Sequence, residues 1–502
     1  MDGAFVTGDR RITLAAPPPR PAGGQEAVII GHCPGRADWQ RLLASEAALA
    51  RISLLGFDAA VRALRAIGAR GGLETGPDDA RLKALTNLPI PIASAAEFAA
   101  LFPEAETVRA ARASYLAGDR AWLPMAVADV FSRGERAIEK TLWVIRVDEA
   151  EGTRAFLPRP DADWFAPDPW RALGPLEIAM IPPRAGFLAL PDLERLQLPA
   201  RLRDLATLDL PRPEPAFLPC DADLPPVTEP DHVPDAPPAA VEPFTPILAA
   251  LAGTLARVRP DLHLLLGLPF APEGQRDRGF PAPSPEALGA ADALTGDPAE
   301  AGLRQIQLLY PYLRAPDRLL ASPAGVVLAR MLESTARRGP WASVAGQPLS
   351  KLQRAHPPLP PQAAARLRED HGIGVLVNHG ALVLDDERLT RPAFGGSTAS
   401  PSGEISRFLG WLRRELRRAG ERLVFRTDPD DPRPGLLLDA FFARLHAQGA
   451  LEGRSPEDSY RITQRSPAPG TLLFEIEMRP AVPIDAIHVT LAEDRLDLRV
   501  GR

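Results

Sequence analysis

Apolar residues at Ile405, Phe408, Leu409, Leu412 and Leu416 recur at i, i+3, i+4, i+7 and i+11, one stripe of a helix over 405–418. Arg407, Arg413, Arg414, Arg417 and Arg418 fill much of its remaining surface, so the pattern predicts an outward positive face. A second helix over about 436–448 follows the breakers Pro429, Pro432 and Pro434 and stops at Gly449. The period then changes to two. Residues 472–478, 486–491 and 495–500 read as strands, the last with apolar residues at every second position.

The N-terminal half alternates in type. Ala27-Val28-Ile29-Ile30 is a short buried-type strand, followed by a Gly/Pro turn over 31–35 and a helical stretch over 37–50. Ser94 and Glu97 have the spacing of a capping box, which predicts a helix start there. A helix over 123–131 and a strand over 141–147 follow. Strands alternating with helices predict an α/β core (α+β mixed) in a multi-domain chain. Prolines dominate two other stretches. Residues 1–25 read as an extended arm with one short strand over 11–14, and about 208–246 as an extended connector.

Composition narrows the classes. A chain of 502 residues with 45% apolar content can bury a sizeable core, in about three domains by length. Its net charge of -6 does not suit a nucleic-acid binder. The 57 prolines and 39 glycines exceed the ordinary share and fit long connections. Two cysteines, Cys33 and Cys220, are too few for a disulfide framework and suit synthesis in a reducing cytoplasm. The N-terminus has no signal-peptide pattern, and the longest apolar runs, such as 262–270, are too short to span a bilayer.

Chemical motifs are weak. The strand ending in Gly31-His32-Cys33-Pro34-Gly35-Arg36 has the parts of a phosphate cradle, but no Lys-Ser or Lys-Thr and no third glycine follow. His371 and His379 flank a stretch that reads as a strand rather than forming a ligand pair, and Asp385-Asp386-Glu387 reads as a solvated turn. No nucleophile elbow or zinc-helix motif occurs. The reading is a non-enzyme with no catalytic residue, no cofactor and no metal.

Several segments, in their order, resemble the contractile tail sheath family of phages and extracellular injection systems. These are Ala27-Val28-Ile29-Ile30-Gly31 with Pro34-Gly35-Arg36-Ala37, and the helix start 91–102. A block follows in Leu123-Pro124-Met125-Ala126-Val127, Val130-Phe131, Arg133-Gly134 and Leu142-Trp143-Val144-Ile145-Arg146-Val147. Ser322-Pro323-Ala324-Gly325 and Arg338-Gly339-Pro340-Trp341 match downstream, and the family's Gly-Ala-Arg-Thr turn is replaced by Asn378-His379-Gly380-Ala381-Leu382.

The resemblance implies a sheath-type subunit with an N-terminal arm (1–26), a core in two parts (27–147 and 244–400), an inserted domain with connector (148–243) and a C-terminal helical and strand module with terminal arm (401–502). It implies a structural subunit that polymerises around an inner tail tube protein and contracts to drive it through a target envelope. Its partners would be its own copies, the tube, and baseplate and terminal cap proteins, with no nucleic acid and no membrane insertion. The subunit would be made in the cytoplasm and assembled in a phage-tail-like particle. Arg407, Arg413, Arg414, Arg417 and Arg418 would then face the tube. Arg11, Ile12, Thr13 and Leu14, with Leu496, Leu498 and Val500, would pair between subunits rather than within one. The competing readings are a nucleotide-binding α/β enzyme using the Gly31–Gly35 turn and a non-polymerising baseplate or cap adaptor with a sheath-like fold.

Overall fold

Uninterrupted apolar runs such as Ala27-Val28-Ile29-Ile30 and Leu264-Leu265-Leu266 leave no polar side for water, so they fold as inner strands covered on both faces. The computed structural model describes residues 26–69, 80–103, 120–132, 141–198, 241–271, 276–277, 280–314, 320–391, 402–423, 432–465, 473–481, 487–491 and 496–500. These fall in two compact units, one within Gly23–Arg426 and one within Thr427–Arg502.

The larger unit is built on a nine-stranded sheet of mixed direction. Its strands lie in the order Pro348–Ser350, Ala381–Leu384, Gly374–His379, Ile306–Tyr310, His263–Gly267, Ala185–Ala189, Glu26–His32, Leu142–Val147 and Pro89–Ile92. From Gly374–His379 to Leu142–Val147 all neighbours are parallel, and the strands outside them are antiparallel. Ala27 lies opposite Leu142, and Ile30 opposite Ile145. The edge strand Pro-Ile-Pro-Ile carries two prolines, which blunt the edge against stray pairing.

Residues 148–198 correct an expectation. Placed with the connector as an insertion, they instead supply Ala185–Ala189, an inner strand between Glu26–His32 and His263–Gly267. Its sequence, Ala-Gly-Phe-Leu-Ala, has little strand propensity of its own, and burial on both faces holds it extended. The Pro-rich connector lies largely outside the described residues.

Local rules set most helix ends. Ser94 Oγ accepts the Glu97 N–H (3.0 Å), and the Glu97 carboxylate reaches back to the Ala93 N–H (2.7 Å), a capping box shifted by one residue. The helix read over 37–50 is two, Trp39–Ala44 and Glu46–Leu54, because Ser45 leaves the helix to accept the Ala48 N–H. Helices Trp122–Ser132 and Ala324–Arg338 cross closely. A Cβ at Gly325 would sit 2.8 Å from the Ala126 Cα, so only glycine fits.

The smaller unit has a helix, Arg433–Ala447, that starts earlier than expected because Pro434 is accommodated in its first turn. Four antiparallel strands follow in chain order, Tyr460–Arg465, Leu473–Met478, Ile487–Leu491 and Leu496–Val500. Among the described residues no helix is long and apolar enough to cross a membrane.

Candidate functional site

The arginine-rich helix spans Gly403–Leu423, and its stripe is buried as its spacing predicts, with Phe408 and Leu412 fully enclosed. It belongs to the larger unit and packs over strands Ala185–Ala189 and His263–Gly267. Its arginines divide. Arg407 is 3% exposed and Arg414 6%, so neither belongs to an outward surface, contrary to the sequence expectation. The helix sits deep enough that positions flanking the stripe are covered as well, and there the guanidinium groups meet internal carboxylates. Arg414 bonds the Asp261 carbonyl and lies 3.3 Å from its carboxylate. Burial alone would raise the Asp261 carboxyl, but Arg259 and Arg414 outweigh it and hold it below its ordinary range. Arg413 donates to the Pro260 carbonyl (2.7 Å) and Arg418 pairs with Glu415 (3.1 Å). Arg417 is exposed, and Arg413 and Arg418 are half-buried.

Arg407 pairs with Glu387, which is 1% exposed. Glu387 also accepts the Val344 N–H and the Ser343 hydroxyl (3.0 Å). The acidic run 385–387 is therefore not the solvated turn read from the sequence. Asp385 pairs with Arg368 and Asp386 with Arg388 (2.7 Å), while Glu387 turns inward.

The strand-to-helix turn at Gly31 already holds an anion of its own. Asp192, in the first turn of helix Pro191–Leu196, accepts the His32 N–H (2.8 Å) and the N–H groups of Trp122 and Leu123 (both 2.9 Å). Trp122 and Leu123 begin a helix, so an internal carboxylate occupies the place where that helix end would hold a phosphate. A Cβ at Gly31 would lie 2.5 Å from Asp192 Oδ2. Arg195 bonds Asp192 Oδ1 (2.9 Å) and donates to His32 Nδ1 (2.9 Å), and burial, foremost, holds this histidine below its ordinary pKa. At this turn the His32 N–H is therefore already taken by an internal carboxylate.

No family model and no curated protein matches this sequence. Solved structures do. The helical sheath of the anti-feeding prophage in its contracted state matches over 96% of this chain and 96% of its own, with a TM-score of 0.53 and 14% identity. The 6-fold symmetrised baseplate of the anti-feeding prophage matches over 97% of this chain and 96% of its own, with a TM-score of 0.50 and 16% identity. The chain has the contractile-sheath fold.

Within the sheath fold, segments that resemble the family in sequence meet in space. Gly325 of Ser-Pro-Ala-Gly packs on Ala126 of Leu-Pro-Met-Ala-Val. In Arg-Gly-Pro-Trp, Gly339 (φ 103°) ends a helix and throws Trp341 against Phe408 (5.9 Å) and Trp411 (6.1 Å) of the arginine helix. Asn378-His379-Gly380 forms a hairpin turn with Gly380 at φ 68°, and the Asn378 amide bonds the Ala355 N–H and carbonyl. His371 ends a helix, His379 is exposed on this hairpin, and no cluster of metal-ligating side chains occurs among the described residues.

Leu496, Leu498 and Val500 lie on a strand that pairs with Ile487–Leu491 of the same chain, with Leu498 opposite Val489. The expectation of pairing only between subunits is thus corrected for the isolated chain: the three-strand sheet before it offers a free edge, and pairing there satisfies backbone groups at once. Leu496–Val500 is itself left as an edge strand among the described residues. Arg11, Ile12, Thr13 and Leu14 lie outside the described residues.

Sequence reasoning missed Asp192, Glu194, Asp261 and Glu387. Pro191 followed by acidic residues signals a helix start, but nothing local says which distant N–H groups it faces. Glu194 is fully buried beside Ser322 and Gly267, and burial, foremost, pushes its carboxyl up to about 8. Folded chain therefore keeps this proton between about pH 4.5 and 8, where unfolded chain has lost it. Stability from Glu194 is complete below the unfolded pKa and declines as pH rises to about 8, by up to about 1.4 kcal/mol per unit. The expected result is a Glu194→Gln protein whose melting temperature gains on wild type from pH 5 to 8 in paired thermal scans. Parallel curves would remove the buried-proton account.

Proposed function

We propose that this chain is a structural subunit of a contractile sheath, polymerising around an inner tube and contracting to drive it through a target envelope. The sheath fold over nearly its whole length is the observation that carries the reading. Its partners are its own copies, an inner tube protein and the baseplate and cap proteins at the two ends. It is made in the cytoplasm and incorporated into a phage-tail-like particle, with a structural rather than catalytic role. The likeness to a baseplate structure favours a second placement, a specialised copy near the baseplate end. The terminal strand Leu496–Val500 exchanges between neighbours in the assembly, opening the hairpin it forms in the single chain. The exposed end of the arginine helix, Arg417 with Arg413 and Arg418, faces the tube, where exposed charge tunes register and release more than affinity.

Negative-stain electron microscopy of the purified chain, alone and with its tube protein, tests this. Wild type is expected to form tubes or stacked rings, and a chain lacking residues 495–502 to stay folded but discrete. Arg417→Glu should assemble alone yet exclude the tube. A wild-type monomer at high concentration would overturn the sheath reading, and tubes from the truncated chain would overturn strand exchange.

A further inference from the structure

Phe165 is 97% exposed and Trp164 41%. A single exposed apolar residue needs no explanation, but an aromatic pair held on a fixed loop does, because aromatics dominate the energetics of protein interfaces. The loop is pre-built. Asp163 accepts the Phe165 N–H at its carboxylate (3.0 Å) and donates its own N–H to the Ala172 carbonyl (3.3 Å). Arg159 grips Asp161 with two bonds (3.0 and 2.6 Å), and its N–H reaches Glu177 (2.8 Å). Beside the loop, Gly56 sits against Pro169, which brings in the end of the helix carrying Leu54, 85% exposed. Along the chain the segment is acidic, with six carboxylate residues against three arginines between positions 148 and 171, of which Asp161 pairs with Arg159 and Asp168 with Arg171.

An opposite surface exists on the same unit. Leu352 is 80% exposed between Lys351 and Arg354, both exposed and without a carboxylate partner among the described residues. This turn is also fixed. Ser350 Oγ accepts the N–H groups of Leu352 (3.3 Å) and Gln353 (3.2 Å), and the Gln353 amide bonds Asp129 (2.9 Å). The turn follows Pro348–Ser350, one edge of the nine-stranded sheet. The aromatic loop runs into Trp170, which donates to the Thr86 carbonyl (2.9 Å) and accepts from Arg81 (2.8 Å), just before Pro89–Ile92 at the other edge.

We propose that Trp164 and Phe165 of one copy dock on the Lys351-Leu352-Gln353-Arg354 turn of the next copy, apolar tip against apolar tip and acidic rim against basic rim. Patches at opposite edges of one sheet cannot close a two-fold dimer; they join copies head to tail and propagate, which is what a ring or helix needs. Two rigid turns lose little freedom on meeting, so the contact strengthens assembly without a folding step. The inference rests on the sheath reading and assigns a lateral contact separate from the terminal strands.

Trp164→Ser with Phe165→Ser, and separately Lys351→Glu with Arg354→Glu, are made in the full chain. Both sets are surface changes, so melting temperatures should match wild type, while the critical concentration for assembly by sedimentation rises at least about tenfold. A directional arm mixes Phe165→Cys chains with Leu352→Cys chains, both in a Cys220→Ser background, and adds a short thiol crosslinker. Covalent pairs should form in the mixture and not in either chain alone. Wild-type assembly by both variant pairs, with no crosslink, overturns the contact while leaving the sheath reading intact. Variants that assemble normally but lose a different protein of the particle overturn the second copy as occupant. A wild-type chain that never assembles overturns the sheath reading, and the contact with it.

Discussion

Asp192→Ala is expected to lower the melting temperature of the protein by about 5–10 °C or to prevent soluble folding. Removing this carboxylate strands three buried backbone donors, those of His32, Trp122 and Leu123. Each buried donor left without an acceptor costs about 1–3 kcal/mol, and Arg195 loses its counter-charge as well. Against a typical total stability of about 5–15 kcal/mol, that loss is a large share. Asp192→Asn keeps an acceptor oxygen but turns an amide N–H₂ toward the other donors, so it should fall between alanine and wild type. Thermal scans of the three proteins check this, and an alanine variant melting within about 2 °C of wild type would show that the turn does not need its internal anion.

Glu387→Ala is expected to cost about 3–5 kcal/mol in urea denaturation, because it leaves the Arg407 guanidinium buried and unpaired and removes the acceptor for Val344 and Ser343. Replacing both partners, Glu387→Leu with Arg407→Met, should recover much of that loss, since an apolar pair of similar volume has no charge to desolvate. The cycle of single and double variants isolates the coupling between them. Additive losses, with the double variant worse than either single, would mean that the pair is not a coupled unit. The pair matters because it ties the turn after Arg-Gly-Pro-Trp to the arginine helix, and so fixes the helix whose exposed end we assign to the tube.

Much of the fold is legible in the sequence. The stripe from Ile405 to Leu416, the capping box at Ser94, the run Ala27–Ile30 and the period-two ending all appear as elements of the expected type. The sheath resemblance rested on glycines and prolines whose reasons the structure supplies, since Gly325 permits a helix crossing and Gly339 a turn that seats Trp341.

The misreadings share one origin. The sequence pattern puts Arg407, Arg414 and Glu387 at the surface and Ala185–Ala189 in an insertion, whereas the fold buries the three charges and makes the segment an inner strand. A sequence shows that a side chain is charged; it does not show that a carboxylate 20 or 153 positions away is waiting inside the fold. The terminal strand shows the same limit, because its alternation demands a partner edge without naming the chain that offers one. By itself, then, the sequence determined periodicity, caps and breakers, which depend on residues within a few positions of one another. The tertiary structure alone decided which arginines are inside, which carboxylate fills the Gly31 turn and where the sheet finds its inner strand, because burial and charge pairing depend on neighbours in space that are remote along the chain.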